Sequence, residues 1–199
     1  MVRTLLLLLF CIPLFSQAQV YTQEGEVGED GKFHGKHTWW NEEGLKVAEV
    51  IYDADGHLKS YKTWEGGEIM DAETVSAKRD RKELPDVDYE VDENGLGISV
   101  YQKGSGPLPA AGQKVKVHYE GYLQDGTVFD SSFERGKPFK FAVGKQQVIP
   151  GFDAAVSQIP IGGGAYVYIP SALGYGKYGV GVIPPFANLW YKIEVLEIK

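Results

Sequence analysis

The sequence predicts an α+β fold in which a twisted antiparallel sheet wraps around one short helix, preceded by a small β-hairpin repeat module. Runs of alternating apolar and polar residues in the second half of the chain predict the sheet. One apolar stripe, in VIPGFDAAVSQI, predicts the helix, and regularly spaced acid-glycine pairs predict the hairpins. We expect the hairpin module at residues 19–70, a charged linker at 71–94 and the α+β domain at 95–199.

The first 18 residues have the pattern of a secretory signal peptide. Arg3 precedes a short apolar run, and the sequence SQA at residues 16–18 is a small-x-small cleavage pattern. The run is shorter than the roughly 20 residues that a transmembrane helix needs. We therefore expect an exported, periplasmic protein that is not an integral membrane protein. Lipid anchoring through Cys11 and release from the cell are the alternatives.

Cleavage after residue 18 would remove Cys11, the only cysteine, so that no disulfide and no zinc-thiolate site can form. Charge is unevenly distributed over the remaining chain. Residues 19–110 carry 10 Lys/Arg against 20 Asp/Glu, whereas residues 111–199 carry 9 against 7. An acidic front half argues against nucleic-acid binding, because phosphate contacts need clustered cations.

Residues 28–69 contain a weak internal repeat of acid-glycine pairs. The pairs are Asp30-Gly31, Glu43-Gly44 and Asp55-Gly56. Glycine supplies the positive φ that a tight hairpin turn requires, and the runs between the pairs are rich in aromatic and β-branched residues. The segment resembles the MORN-variant repeats of bacterial surface and exported proteins. We predict consecutive hairpins in a small open sheet.

Two sets of residues in this module suggest functional hypotheses. The aromatic set is Trp39, Trp40, Tyr52, Tyr61 and Trp64. These side chains could form an exposed binding face, although packing of the sheet is the interpretation we favour. The histidine set is His34, His37 and His57, which lie beside turn residues without a cluster of other metal ligands nearby. We expect solvent-exposed loop histidines and no metal site.

The predicted linker is strongly charged and nearly free of aromatic residues. Its segment AETVSAKRDRKEL, residues 72–84, predicts a short solvated helix. Pro85 would end this helix, because the residue before a proline disfavours helical geometry.

The clearest helix signal is in residues 148–159. Pro150 suits the first turn of a helix, where a missing amide proton has little effect. Phe152, Ala155, Val156 and Ile159 then repeat at i, i+3, i+4 and i+7, which is one apolar face. A sheet that twists around this face would bury it.

Aromatic residues accumulate around the helix and on the preceding strands, which indicates an apolar pocket. They are Tyr119, Phe129, Phe139, Phe141 and Phe152, with Asp130 directly after Phe129. The domain has no cysteine and no serine-histidine-acid set, so covalent catalysis has no obvious nucleophile. His118 would face away from Tyr119 on an alternating strand. No metal, nucleotide or other cofactor is indicated.

Three blocks of this domain closely resemble the FKBP-type peptidyl-prolyl cis-trans isomerases. They are VHYEGYLQDGTVFDSS followed by PFKF, GKQQVIPGFDAAV, and IPSALGYG followed by VIPPFANL. The resemblance covers about residues 95–199 and implies an FKBP-like fold for the domain. It also implies acceleration of rotation about Xaa-Pro bonds, here in exported proteins, a reaction that needs no nucleophile.

The resemblance also implies the roles of individual pocket residues. Phe152 would be the floor beneath the proline ring. The walls would be Tyr119, Phe129, Val148, Ile149 and Tyr191, with Phe139 closing one side. Donors to ligand carbonyl groups would be the Tyr175 hydroxyl and the Ile149 amide. Asp130 would orient polar ligand groups and interact with Tyr119 and Arg135. Val182 and Ile183 would lie in a loop that overhangs the rim.

Among these residues, we expect Asp130, Tyr175, Phe129 and Tyr119 to be catalytic and the others to bind substrate. Phe152 stands where the best-known members of the family carry tryptophan, and Tyr191 stands where they carry phenylalanine. The loop after Tyr175 is about one residue shorter than theirs.

The implied partners are proline-containing polypeptides and, as possible ligands, macrolides. One alternative is a peptide-binding chaperone with little turnover. Another is a surface adaptor in which the repeat module is the functional part.

Overall fold

The computed structural model describes residues 22–29, 33–65, 68–74 and 81–199, with residue 65 and residues 68–74 described by their backbone alone. The predicted signal peptide, its Cys11 and the Asp30-Gly31 pair lie outside the described residues. The chain forms two compact units. Of the described residues, those between 22 and 74 and residues 177–185 form the N-terminal unit, and residues 81–176 and 186–199 form the C-terminal unit. No helix in the described ranges has the length and apolar character needed to cross a membrane.

The N-terminal unit contains a five-stranded antiparallel sheet in which each strand pairs with the next one along the chain. The strands are β1 (Thr22–Val27), β2 (Phe33–Trp40), β3 (Lys46–Tyr52), β4 (Leu58–Glu65) and β5 (Glu68–Thr74). The predicted succession of hairpins is thus confirmed.

The hairpin turns after β2 and β3 have the same construction. The Asn41 side chain accepts hydrogen bonds from two amides of its turn, and the Asp53 side chain does the same in the next turn. Gly44 and Gly56 complete these turns at φ values of 76° and 79°. Such values strain any residue with a Cβ atom, which explains the acid-glycine pairs in the sequence.

Alternate residues of β2, β3 and β4 form one buried face of this sheet. Trp39 and Tyr61 are 7% and 1% exposed, and Ala48 and Val50 are fully buried between them. For these two aromatic residues the packing interpretation is confirmed. Trp40, Tyr52 and Trp64 are half-buried. In the same unit, the Tyr61 hydroxyl donates a 2.6 Å hydrogen bond to the Gly181 carbonyl oxygen.

The prediction of exposed loop histidines is wrong for His37. This residue lies in β2 and is fully buried on the same face as Trp39. Its Nδ1 atom is 2.6 Å from the Gln23 side-chain nitrogen, and its Nε2 atom is 2.9 Å from the Glu26 carbonyl oxygen. Burial lowers the pKa of His37, so the ring is neutral at pH 7. His34 also lies in β2 rather than in a loop.

His57 lies in the turn before β4, as expected, but it has acidic neighbours that the prediction did not include. Ligand atoms of Asp53, Asp55 and His57 lie within 4.8 Å of one another. One oxygen of Asp53 already accepts the amides of the other two residues. These hydrogen bonds stabilise the turn between β3 and β4.

The predicted helix at residues 72–84 is wrong at both ends. Residues 72–74 continue β5, and residues 81–84 are not helical; residues 75–80 lie outside the described part. Arg81 and Lys82 instead belong to the C-terminal unit, where they contact residues 120–126. The Lys82 amide donates to the Gly126 carbonyl oxygen over 2.9 Å, and its ammonium group pairs with Glu120. The pattern of charges along the sequence does not reveal contacts between residues this far apart in the chain.

The C-terminal unit contains a seven-stranded antiparallel sheet and one α-helix. Its elements are β6 (Glu90–Val91), β7 (Gly97–Gln102), β8 (Lys114–Tyr122), β9 (Val128–Ser131), β10 (Phe139–Ala142), α1 (Pro150–Val156), β11 (Gly164–Ile169) and β12 (Leu189–Ile198). The strand order is β10-β8-β12-β11-β7-β6, and β9 pairs with β8. The predicted sheet with one short helix is confirmed.

Helix α1 is shorter than its apolar stripe. It begins at Pro150 and ends at Val156, so that Ile159 follows it in a turn. Phe152, Ala155, Val156 and Ile159 are nevertheless all buried, with at most 3% of their surface exposed. Together with inward residues of β8, β11 and β12 they form the core of this unit.

A buried carboxylate holds the start of this unit against β8. Glu120 is 6% exposed, and its oxygens accept hydrogen bonds from Lys82 at 2.7 Å, from Ser131 at 3.2 Å and from the Tyr122 hydroxyl. Burial acts to raise the pKa of Glu120, but these hydrogen bonds outweigh burial and hold the pKa below its ordinary value.

The Glu120 network predicts a loss of stability in acid. Because the pKa is lower in the folded than in the unfolded state, protons bind the unfolded chain first as pH falls through about 4. The contribution of Glu120 to the free energy of unfolding should therefore be complete at neutral pH. The free energy of unfolding, measured with urea, should decline as pH falls below about 5.

Replacing Glu120 with Gln tests this network. The substitution should lower the free energy of unfolding at neutral pH by about 1–3 kcal/mol and make its decline in acid shallower. Glu134→Gln, which changes an exposed carboxylate, is the matched control and should alter neither quantity. An unchanged acid decline in Glu120→Gln would contradict the assignment.

Candidate active site

Three buried aromatic rings from three different elements meet in the C-terminal unit. Tyr119 of β8, Phe152 of α1 and Tyr191 of β12 are 8%, 3% and 5% exposed. The ring centroid of Phe152 lies 5.4 Å from that of Tyr119 and 5.2 Å from that of Tyr191, both edge to face. Edge-to-face packing at these distances is favourable, so the rings fix one another. The helix thus supplies the floor of an aromatic cluster whose sides come from the sheet.

Further aromatic residues extend this cluster at its sides. Phe139 of β10 is 5.8 Å from Tyr119, and Phe129 of β9 is 5.5 Å from Tyr191, between ring centroids. Both are only half-buried, so part of each ring faces open space. Phe141 is buried and lies 5.8 Å from both Phe139 and Phe152.

Gly121 is a site residue that the sequence reasoning missed. It pairs with Tyr191 across the sheet, and a Cβ atom here would lie 2.5 Å from the Phe129 ring and 2.9 Å from the Tyr191 ring. Only glycine leaves room for both rings. A glycine in the middle of the alternating run KVKVHYEGYL was the available signal, because glycine within a strand often marks a close approach.

Asp130 is held by two of the residues expected to contact it. It accepts a hydrogen bond from the Tyr119 hydroxyl and forms an ion pair with Arg135. Arg135 also donates to the Tyr119 hydroxyl oxygen over 2.9 Å, and its guanidinium carbon lies 5.6 Å from the Tyr119 ring centroid. These three residues form a closed polar triangle at the edge of the aromatic cluster.

The hydroxyl groups of this site stay protonated at neutral pH. Burial raises the pKa of Tyr119 to about 12; the hydrogen bond to Asp130 adds to the shift, and Arg135 opposes it. Burial, reinforced by the charge of Asp130, also raises the pKa of Tyr175. Both side chains can therefore act as hydrogen-bond donors and not as bases.

Two donors near the cluster have no acceptor within the described part of the chain. The carbonyl oxygen of Ile149 accepts from the first helical amides of Phe152 and Asp153, but its own amide donates to no protein group there. The half-buried Tyr175 hydroxyl likewise has no protein partner among the described residues. Val148 and Ile149 are half-buried directly before the helix. The expected donors are thus available to a ligand.

Val182 and Ile183 are not grouped with these residues. They lie in the segment 177–185, which belongs to the N-terminal unit. Val180 and Ile183 exchange two 2.9 Å backbone hydrogen bonds, and Ile183 is 4% exposed. Their role at the pocket rim stays a prediction.

His118 lies on the opposite side of β8 from Tyr119. Its ring stacks on Phe133 at 4.7 Å, and its Nδ1 atom lies 3.0 Å from the Ser132 hydroxyl oxygen. These contacts are outside the aromatic cluster, in the direction that strand alternation predicts.

This arrangement is an apolar aromatic cluster with part-exposed rings and a few polar groups at its edge, a combination that is usual in small-ligand sites. It offers donors and aromatic surface, without a nucleophile beside a base among the described residues. Such a site can bind an apolar ring and orient neighbouring carbonyl groups.

Known proteins share this pocket-bearing part of the chain. Residues 106–196 match the family described as FKBP-type peptidyl-prolyl cis-trans isomerase. The chain is 47% identical over 107 residues to the FKBP-type 22 kDa peptidyl-prolyl cis-trans isomerase of Escherichia coli K12, covering 53% of this chain and 51% of that protein. It is 42% identical over 106 residues to FK506-binding protein 1 of Dictyostelium discoideum, covering 53% of this chain and 99% of that protein.

The crystal structure of FkpA from Escherichia coli is similar to this chain with a TM-score of 0.53 and 38% identity, covering 56% of this chain and 51% of that one. The chain therefore spans about half the length of these two bacterial relatives. The FKBP-like fold implied by the sequence is confirmed. Since the Dictyostelium protein is matched over nearly its whole length, the chain belongs to the FKBP-type peptidyl-prolyl cis-trans isomerase family.

Proposed function

We propose that this protein accelerates cis-trans rotation about Xaa-Pro bonds in exported polypeptides by non-covalent binding in the aromatic pocket. The observation that carries the proposal is the combination of a buried Phe152 floor with the unpaired Ile149 amide and Tyr175 hydroxyl. A proline ring needs an apolar surface, and the peptide groups beside it need donors.

The pocket favours the twisted amide over the planar one. Rotation about a peptide bond has a barrier of about 18–20 kcal/mol, because the planar amide is stabilised by resonance. At the twisted transition state this resonance is lost and the carbonyl group is less polar. An apolar site therefore disfavours the planar state, and each difference of about 1.4 kcal/mol changes the rate tenfold.

The polar groups at the pocket edge have binding roles in this proposal. Tyr175 and the Ile149 amide donate to carbonyl groups of the substrate on either side of the proline. Asp130, fixed by Tyr119 and Arg135, orients further amide groups. Holding the flanking peptide groups leaves rotation about one bond as the remaining freedom, which lowers the entropy cost of reaching the transition state.

Export, periplasmic location and macrolide binding belong to the same proposal. Export is supported by the signal-peptide pattern of residues 1–18. Binding of macrolides is supported by the family and by the name of the Dictyostelium relative, an FK506-binding protein.

The first experiment is the cis-to-trans rate of a short Leu-Pro or Phe-Pro peptide with purified protein from residue 19 onward. A rate that rises linearly with enzyme concentration supports an isomerase. A folded protein that binds the peptide without accelerating rotation supports the chaperone alternative. If neither occurs, the adaptor alternative is tested by truncation, which should end before residue 79 so that the Lys82–Glu120 contact is kept.

Removing one pocket ring should reduce catalysis in a folded protein. Phe129→Ala deletes a half-buried ring that contacts Tyr191, so kcat/KM should fall about tenfold or more. Phe133→Ala is the matched control, since it deletes an exposed ring that stacks on His118 outside the cluster. Equal rates for Phe129→Ala and wild type, with both folded by circular dichroism, would exclude the site.

The catalytic efficiency, kcat/KM, should not depend on pH over the neutral range. Tyr119 has a pKa of about 12 and that of Tyr175 is also raised, so both remain neutral donors as pH rises through the ordinary tyrosine range. We expect kcat/KM to vary less than about twofold between about pH 6 and 9, measured with a protease-free assay. An activity loss centred near pH 8 in folded protein would contradict this electrostatic picture.

A further inference from the structure

Tyr191 carries a hydroxyl group that the described part of the protein leaves without a hydrogen bond. Other buried tyrosines are paired: Tyr119 with Asp130, Tyr122 with Glu120, and Tyr61 with a backbone carbonyl group. No acceptor lies within hydrogen-bonding distance of the Tyr191 oxygen among the described residues, although this side chain is 95% buried, with 5% of its surface exposed. Phenylalanine would fill the same space without this hydroxyl, so packing of the ring does not account for it.

The Tyr191 oxygen is open to solvent at the edge of its ring. Within the described residues, the one buried side-chain oxygen that is sealed from solvent and lacks a partner belongs to Tyr89. The Tyr191 oxygen is therefore not sealed, even though its ring is packed against Phe152 and Phe129. The residue opposite it on β8 is Gly121, which has no side chain to cover it.

The polar neighbours of this hydroxyl are the residues of the pocket edge. Burial raises the pKa of Tyr191 well above its ordinary value, and Tyr175, Tyr119 and Asp130 add to this shift. The hydroxyl therefore keeps its proton and acts as a donor. Asp130 accepts from Tyr119 and Arg135 and not from this hydroxyl, so the donor is open to an acceptor on a ligand.

We propose that the Tyr191 hydroxyl is an additional ligand-binding group of the pocket. It donates a hydrogen bond to the carbonyl oxygen of a peptide group next to the rotating Xaa-Pro bond. This assignment rests on the proposed function. The rotating carbonyl group itself is the wrong partner, because a hydrogen bond to it stabilises the polar planar amide and slows rotation. A neighbouring carbonyl group keeps its polarity throughout, so the bond forms equally in ground and transition states.

Uniform binding of this kind affects KM and leaves kcat unchanged. Tyr191→Phe should therefore raise both KM and the dissociation constant of a proline-containing peptide by about three- to tenfold, the range for one neutral hydrogen bond. Its kcat should stay within about twofold of wild type. The ring remains in place, so the fold is retained, and thermal stability should change little because the hydroxyl is open to solvent.

Tyr89→Phe is the matched control. It removes an unpartnered hydroxyl in the same unit that is sealed from solvent, and this residue packs against Tyr168 and not against the aromatic cluster. Tyr89→Phe should be as stable as wild type or more stable, and it should leave KM and peptide affinity unchanged. A loss of affinity in both variants would show a general packing effect and overturn the proposal.

A peptide that lacks the accepted carbonyl group gives the decisive comparison. Analogues in which one peptide group at a time is replaced by an alkene isostere are titrated by calorimetry against wild type and Tyr191→Phe. For one position beside the proline, wild type should lose affinity and the variant should lose none, since the two deletions remove the same hydrogen bond.

The remaining outcomes separate this proposal from the proposed function. Equal affinities of wild type and Tyr191→Phe for every analogue would overturn the proposal, as would a fall in kcat without a change in KM. If wild type binds peptide but does not accelerate rotation, the proposed catalysis fails, while the calorimetric comparison still decides the role of Tyr191.

Discussion

The close approach of helix α1 to strand β11 is the contact on which the C-terminal unit depends. A Cβ atom at Gly151 would lie 2.4 Å from the Ile169 side chain, so glycine is what lets the helix pack this near to the sheet. The approach places Phe152 among the rings of Tyr119 and Tyr191. Core and pocket floor are therefore one packing arrangement, and the pocket is as rigid as the core beneath it.

The polar groups of this unit divide into those that the protein satisfies and those without a protein partner among the described residues. Glu120 accepts several hydrogen bonds in a buried network, which fixes the start of the unit to β8. The Ile149 amide, Tyr175 hydroxyl and Tyr191 hydroxyl have no such partners in the described part of the chain. A fully satisfied buried network adds rigidity, whereas unpaired donors in an apolar pocket add affinity for the groups that satisfy them.

Sequence reasoning succeeded where structure is set by neighbouring residues and failed where distant residues meet. Hairpin turns and the apolar helix face follow from local geometry, and the family resemblance named the aromatic residues that the structure brings together. The burial of His37, the attachment of Lys82 and the crowding around Gly121 all arise from pairing between strands or segments far apart in sequence. The charged composition after residue 70 also led to a wrong prediction, because residues 71–74 belong to strand β5 and not to a linker.

The division of the chain into units has a consequence for the order of folding. The hydrogen bond from Tyr61 to Gly181 joins residues 120 positions apart, and both belong to the N-terminal unit. That unit lacks its last segment until residue 185 has emerged from the ribosome or the translocation channel. Although its sheet comes first in the chain, the unit waits for nearly the whole chain to be made, and its final contacts belong to the slow, long-range class.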